Sequence, residues 1–588
     1  MNKTSKKTNA AASAKVPNVL GKMRSIGIYL FALSGIINIL ALTGAMYMLQ
    51  IYDRALTSGS MPTLIALSAL AIGLYLFQGI FDILRSQILV RIGARYDAEL
   101  APMAHSVVIE MPRFGYSTSE AMERGRDVDT IRGFLSGQGP VALFDLPWMP
   151  VFLIFIYALH PMLGLLTLGG AIVLACLTIA TEMLTRRSSR EMNKAALMRN
   201  TLADGHAANA EILKAMGFTG RAVERFEEAN KAHLALQTKT SDITGTFSGL
   251  SKVLRMILQS AVLGMGAFLT IQGELSAGGI IAASIVSARA LAPVDLVIGQ
   301  WKGMQAARRS FKRLGETLAA MEDKSALIDL PMPARSLKVE NVTIAAPASG
   351  AVLLGEVSFE LKSGQALGLI GPSGGGKTSL VRALVGIWPL LRGAIRLDDA
   401  DLEQYREDVL CKAIGYLPQD VALLDGTIAE NISRFDRDQN ARKIVIAAKA
   451  AGVHELIVRL REGYQTQLGS NGMALSAGQR QRIGLARALY DDPFLVVLDE
   501  PNSNLDGEGE AALTAAIAGV RNRGGIVVVV AHRPSALAAV DMVGMVQNGR
   551  LVAFGPKEEI LQETPPRRKP ALAERGELAR RPLERTNA

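Results

Sequence analysis

The sequence predicts an α-helical membrane domain of six spans followed by a soluble α/β domain. Three observations predict it. Residues 25–300 carry long runs almost free of charge, and residues 335–560 are charged throughout. In the second half a glycine-rich loop, GPSGGGKTSL at 371–380, stands between a strand-like and a helix-like stretch. At 588 residues the chain exceeds one ordinary domain and has room for two to four. Aromatics are only 5%, so Leu, Ile, Ala, Val and Gly supply the apolar character, as suits helices packed in a membrane.

A bilayer crossing needs about 20 mostly apolar residues as a helix. Candidate spans lie near 26–51, 62–84, 139–159, 161–184, 256–273 and 275–299. Arg85, Arg91 and Arg95 follow the second, and Arg186, Arg187 and Arg190 follow the fourth. The connections LHPML, DRALTSGS and QGELSAG are short and nearly neutral. The excess of Lys and Arg on one side puts both termini in the cytoplasm. The long inside connections, 85–138 and 185–255, keep a helical pattern, so helices are expected to run beyond the bilayer and turn there. Arg289 and Asp295 fall in the sixth span; they face a polar cavity or a partner, or the span is shorter and they sit at its cytoplasmic end.

The net charge is +10. Lys3, Lys6, Lys7, Lys15, Lys22 and Arg24 precede the first span with no acid among them, and residues 565–588 hold seven Lys or Arg against Glu574, Glu577 and Glu584. The charge between the two ends therefore cancels. A nucleic-acid binder needs a basic face on its folded part, so that class is excluded, and the first tail reads as an end facing anionic lipid of the bilayer. The last tail, from about residue 564, is Pro-, Arg- and Glu-rich and reads as disordered. Cys176 and Cys411 suggest two unpaired buried thiols and no metal site. The apolar stretch after the basic N-terminus is too long for a signal peptide and is expected to be retained.

The domains expected are a basic segment 1–24, the membrane domain 25–305, a linker 306–334, the nucleotide-binding domain 335–563 and the tail 564–588. In the fourth, Gly371, Pro372, Ser373, Gly374, Gly375, Gly376, Lys377, Thr378 and Ser379 form a phosphate cradle of the pattern G-x-x-x-x-G-K-[ST]. Backbone N–H groups wrap the β-phosphate at a helix N-terminus, Lys377 neutralises β/γ oxygens and Thr378 ligates Mg²⁺. FLVVLDE, 494–500, is a buried strand ending in two acids: Asp499 holds Mg²⁺ through water, and Glu500 is the general base for the attacking water. LSAGQRQRIGLARAL, 475–489, opens a helix with a second anion-binding turn, which calls for a second nucleotide.

These motifs together resemble the ATP-binding cassette exporters. LSAGQ is similar to the signature motif, commonly LSGGQ, and lies about 100 residues after the cradle. Gln419 in YLPQD matches the Q-loop, Asp506 in SNLD the D-loop, and His532 in VVVVAHRP the switch histidine; DGTIAENI at 425–432 is similar to the stretch that follows the Q-loop. The resemblance implies a type I ABC exporter fold, with six spans joined to one P-loop cassette. It implies an ATPase working as a homodimer, with two cassettes head to tail and ATP held between one cradle and Ser476, Ala477, Gly478 and Gln479 of the partner. It also implies that Gln419 joins Thr378 and Asp499 around Mg²⁺ and that His532 and Gln419 act beside Glu500. Two departures stand out. VENVTIAAPASG holds no aromatic to stack on adenine, and TQLGSNGMALSAGQ has Ser470 where a Glu is frequent.

MYMLQIYDRALTSGSMPTL (46–64), FDLPWMPVF (144–152) and SARALAPVDLVIGQW (287–301) resemble the type I protein-secretion transporters of Gram-negative bacteria. That implies an inner-membrane dimer working with a periplasmic membrane-fusion adaptor and an outer-membrane channel protein to export unfolded proteins that carry a C-terminal signal. Asp145, Trp148, Arg289 and Asp295 are candidates for a polar path, with Asp145 and Trp148 alternatively anchoring an interface. Only some 25 residues precede the first span, so a peptidase domain is not expected there. An exporter of lipids or amphiphiles, and a membrane-anchored ATPase that regulates a partner without transport, remain as alternatives.

Overall fold

The computed structural model describes residues 16–321, 329–469, 475–531 and 534–563. The chain divides into two compact units, Met1–Pro112 with Tyr116–Asp323, and Arg113–Gly115 with Lys324–Ala588.

The first unit is helical. Its helices are α1 (Val16–Leu40), α2 (Thr43–Gln50), α3 (Met61–Glu110), α4 (Thr118–Leu135), α5 (Gln138–Asp145), α6 (Met149–Leu159), α7 (Pro161–Ala208), α8 (Ala210–Ala215), α9 (Thr219–Ile271) and α10 (Ala277–Met321). Six stretches are long and apolar enough to cross a membrane: Ser25–Ser58, Met61–Phe114, Gln138–Leu159, Pro161–Ala208, Thr219–Ile271 and Ala277–Ala319. Each predicted span falls on one of them, the fifth (256–273) running two residues past Ile271 and the sixth (275–299) starting two residues before Ala277. Helix α3 has 50 residues and α9 has 53. At 1.5 Å per residue these reach about 75–80 Å, more than twice a hydrocarbon core. The expected helical continuation through 85–138 and 185–255 is therefore present.

Starts are fixed by local chemistry. Ser60 accepts from the Thr63 N–H at 3.4 Å ahead of Pro62. Ser117 and Glu120 form a reciprocal capping box on α4. His160 accepts from the Met162 N–H at 3.2 Å, with Pro161 opening α7. Small residues bring helices close: a Cβ on Gly170 would lie 2.1 Å from Leu258. Two expectations are corrected. Residues 306–321, expected to be linker, continue α10; their charges pair along and across helices, as in Lys312–Glu316 at 3.7 Å and in Arg313 with Glu123 and Asp127. Cys176 and Cys411 are exposed, not buried. Cys176 lies in a span, where an outward thiol meets lipid, and the inside-apolar rule for water-soluble proteins does not hold.

The second unit has two sheets. Strands β1 (Ser336–Ala345), β2 (Val352–Lys362), β4 (Arg392–Leu397) and β5 (Ala400–Asp401) form an antiparallel sheet in the order β2-β1-β4-β5. The other runs β10-β9-β3-β8-β7-β6 from β3 (Ala366–Ile370), β6 (Ile414–Leu417), β7 (Leu495–Asp499), β8 (Ile526–Val530), β9 (Met542–Gln547) and β10 (Arg550–Pro556). From β9 to β6 it is parallel; β10 alone is antiparallel. All five residues of β7 and of β8 are buried, as continuous Val/Leu runs covered on both faces must be. The helices of this unit are α11 (Lys377–Leu384), α12 (Glu407–Ala413), α13 (Ile428–Ile432), α14 (Ala441–Ala450), α15 (His454–Arg459), α16 (Ala477–Leu489), α17 (Gly507–Asn522) and α18 (Lys557–Glu563).

Candidate functional site

Three parallel strands of one sheet, β3, β7 and β6, lead to the predicted chemistry. The cradle leaves β3, Asp499 and Glu500 end β7, and Gln419 follows β6. The Ala531 N–H at the end of β8 donates to the Leu369 carbonyl at 3.0 Å, which carries the chain towards the cradle. Ligands bind at the carboxyl edge of such sheets, where the strand order turns. His532 and Ser470 lie outside the described residues.

The cradle's glycines answer to local geometry. At Gly371 φ is +149°, and a Cβ would sit 2.0 Å from the Val546 carbonyl oxygen. At Gly376 φ is +104°, with Leu354 at 2.4 Å. No side chain fits at either position, so the backbone itself forms the wall. Lys377 is buried, and its Nζ donates to the carbonyls of Gly371 at 2.9 Å and Pro372 at 3.0 Å. Burial lowers its pKa, against the pull of Glu500 and Asp499.

Thr378 Oγ1 donates to Asp499 Oδ1 at 3.4 Å. The other oxygen, Asp499 Oδ2, is buried without a partner, and burial raises the carboxyl's pKa. A hydroxyl beside an unsatisfied carboxylate oxygen is the oxygen donor set that Mg²⁺ takes. Gln419 Nε2 donates to Glu500 Oε2 at 3.4 Å. Glu500 has φ +50°, a strained setting for a non-glycine residue and one that marks functional positions. The structure thus brings Lys377, Thr378, Gln419, Asp499 and Glu500 together.

The signature turn stands apart. Ser476 Oγ accepts from the Gln479 N–H at 3.3 Å and Gln479 Oε1 from the Ser476 N–H at 3.0 Å, a capping box that opens α16. Among the described residues no hydrogen bond joins Ser476–Gln479 to Gly371–Ser379. The turn is tied instead to the segment after Glu500. A Cβ on Gly478 would lie 2.7 Å from the Asn504 carbonyl oxygen. Gln481, buried, donates to the Pro501 carbonyl at 2.7 Å and accepts from Asn504 at 3.0 Å. Asp506 caps α17 by accepting from the Gly509 N–H at 2.9 Å, and it pairs with Arg482. These contacts hold its carboxyl below the usual range. Gln481 and Arg482 escape motif reading because they serve backbone and cap, although their place one turn into the signature helix is a signal.

In the membrane unit, three of the four path candidates are engaged within the chain. Asp145 accepts from Arg85 at 2.7 Å and Asn38 at 2.9 Å, all three buried. The Trp148 ring lies 5.0 Å from that of Phe31 and closes on Gly35. Asp295 pairs with Arg255. Arg289 is exposed. At another helix end, Asp53 of YDRAL accepts from Ser276 Oγ at 2.6 Å and the Gly278 N–H at 3.1 Å, and so caps α10.

Residues 26–291 match the family described as ABC transporter transmembrane region, and residues 354–503 the family described as ABC transporter. The chain is 49% identical over 558 residues, 95% of each chain, to the type I secretion system ATP-binding protein PrsD of Rhizobium meliloti (strain 1021). It is 28% identical to the toxin RTX-I translocation ATP-binding protein of Actinobacillus pleuropneumoniae, over 93% of this chain and 78% of the other. Among solved structures, a bacterial Atm1-family ABC exporter with ATP bound shares the fold at TM-score 0.76 and 23% identity, covering 93% of this chain and 96% of that one.

Proposed function

The chain belongs to the ABC transporters, in the type I secretion branch, and on that premise we propose that it is a half-transporter that works as a homodimer and exports unfolded proteins carrying a C-terminal signal. It is an ATP-hydrolysing multi-pass membrane protein. The observation that carries the finer reading is its 49% identity, along 95% of both chains, with a type I secretion ATP-binding protein. On this reading it sits in the bacterial inner membrane with both termini and the cassette in the cytoplasm, beside a periplasmic adaptor and an outer-membrane channel.

ATP is bound by the N–H groups of the cradle, and Lys377 turns from the Gly371 and Pro372 carbonyls to the phosphates. Thr378, Asp499 and Gln419 would hold Mg²⁺, which would supply charge neutralisation at the phosphate oxygens. Glu500 takes the proton of the attacking water, and the hydrogen bond from Gln419 orients its carboxylate. The signature turn of each subunit completes the partner's site, with the Ser476 hydroxyl and the Gly478 N–H facing the γ-phosphate. His532 acts beside that phosphate. Closure and reopening of the cassette pair bias the spans between two states, which drives polypeptide outward.

The test is ATPase activity of the purified transporter with and without C-terminal peptides of proteins encoded beside it, with Glu500→Gln as control. A peptide that binds and changes turnover supports protein export. Turnover that answers only to lipids or amphiphiles replaces this reading with a lipid or drug exporter.

A further inference from the structure

Arg434 lies outside every motif, yet its side chain is fully committed. It follows α13, with φ +57°, and Phe435 has φ +56°. Two successive non-glycine residues in the left-handed region cost about 1–2 kcal/mol each, and the return is the direction in which the Arg434 side chain leaves the backbone. Its Nε donates to the Arg487 carbonyl at 2.9 Å. Nη1 donates to the Ile414 carbonyl at 3.0 Å and to that of Cys411. Nη2 donates to the carbonyls of Ala488 at 3.2 Å and Tyr490 at 3.4 Å. All five N–H donors of the fork are thus spent on backbone oxygens.

These oxygens belong to three chain segments. Arg487, Ala488 and Tyr490 are the C-terminal end of α16, where carbonyls lack helical donors and the helix dipole is negative. Cys411 lies near the end of α12. Ile414 is the first residue of β6, which leads to Gln419. The joint is reinforced on both sides. A Cβ on Gly415 would lie 1.9 Å from the Ala488 carbonyl oxygen, and one on Gly484 would meet Val421 at 2.7 Å and Leu417 at 2.9 Å. Arg487 donates to the Ala422 carbonyl at 3.0 Å, on the far side of Gln419. The segment 414–422 is therefore gripped at both ends by the C-terminus of α16. The opposite end of that helix carries Ser476–Gln479.

We propose that Arg434 is a positioning residue for hydrolysis, fastening the signature helix α16 to the strand that delivers Gln419. Its guanidinium makes one body of two groups that serve different nucleotides, so that a shift of the signature turn is felt at Gln419 and hence at Glu500. This role is independent of what the transporter exports, and its test needs no cargo.

The experiment uses the full-length transporter in lipid nanodiscs and compares wild type, Arg434→Met, Arg434→Lys, Gln419→Ala and the Arg434→Lys/Gln419→Ala double variant. Lysine keeps the charge and stem but loses the fork, so Arg434→Lys carries the comparison if Arg434→Met fails to fold. Unfolding temperature, ATP affinity, KM and kcat are measured on each. Displacement of a reacting group by about 1 Å costs up to roughly 100-fold, so Arg434→Lys is expected to lower kcat about tenfold with ATP affinity kept within about twofold. Because it acts through Gln419, it should have little further effect in the Gln419→Ala background. A wild-type kcat with only a lower unfolding temperature overturns the proposal. So does a double variant in which the two losses multiply, or a loss of ATP affinity that parallels the loss of kcat.

Discussion

The Arg85 guanidinium lies 2.7 Å from the Asp145 carboxylate inside the membrane unit and joins α3 to the end of α5. The same guanidinium reaches Asp82 at 2.7 Å and Ser34 at 3.2 Å, while Asn38 reaches Asp145 at 2.9 Å. Three of the six spans thus meet at one polar knot. Removing Arg85 leaves the buried Asp145 without its cation, at about 3–5 kcal/mol, and removing Asp145 leaves Arg85 with the part-exposed Asp82 alone among the described carboxylates. Asp145→Ala and Arg85→Ala should each lower the unfolding temperature markedly in thermal scans of the solubilised transporter. Arg85→Met with Asp145→Leu should recover most of that loss. Single variants as stable as wild type would show the knot to be energetically idle.

That knot shows where sequence reading stopped. FDLPW marked Asp145 as unusual, but its partner lies 60 residues earlier and no local pattern connects them. In the structure Asp145 is buried against Arg85 and Asn38 of two other spans. The cradle was legible because each of its positions does its work through its own backbone or side chain within one turn, and the signature turn because Ser476 and Gln479 cap their own helix. Arg434 was invisible for the opposite reason. Its acceptors are backbone carbonyls 20 to 56 residues away, which any side chain can supply. The role of Asp53 as a cap for a helix that starts 224 residues later was hidden in the same way, since its contacts are at Ser276 and Gly278.

Glu500, proposed above as the general base, accepts a hydrogen bond from Gln419 at 3.4 Å. Glu500→Gln keeps the shape and removes the basicity. General-base loss costs typically 10²–10⁴-fold, so kcat should fall by roughly that factor. ATP binding at the cradle should persist, read by equilibrium binding of a fluorescent ATP analogue. Hydrolysis at more than about a tenth of the wild-type rate would remove Glu500 from the role of base.

Two glycines distinguish the cradle from the turn proposed to complete the partner's site. A methyl group at Gly371 meets the Val546 carbonyl at 2.0 Å, whereas one at Gly478 meets that of Asn504 at 2.7 Å. Gly371→Ala should therefore distort the cradle and weaken ATP binding. Gly478→Ala should leave binding at the cradle intact and lower turnover, because in the proposed homodimer it displaces the turn offered to the partner subunit. Parallel titrations of binding and turnover decide between them: if both variants lose affinity equally, the two turns serve one nucleotide in one chain.

Arg289 lies twelve residues beyond Ala277, the first residue of α10. At 1.5 Å per residue that is about 18 Å, near the middle of a hydrocarbon core of about 30 Å if the core begins at Ala277. It is exposed on its own unit, while Asp295 nearby is paired with Arg255. Pro293, four residues on, has no N–H to give the Arg289 carbonyl, so the backbone there is polar as well. An arginine at that depth costs about 2.5–3.5 kcal/mol against lipid even on the mildest scale, so in the proposed homodimer it would face the interior. On the proposed reading as a protein exporter, carboxylates of the passing chain would answer that cation. Arg289→Ala should keep basal ATPase activity and reduce export, more for a cargo with an acidic C-terminal segment than for the same cargo with those acids changed to amides. Arg289→Lys should restore part of the difference. The readout is secreted cargo per ATP hydrolysed for each pair of variant and cargo. Equal loss for both cargoes would make Arg289 a contact between subunits, and no loss for either would put it outside the path.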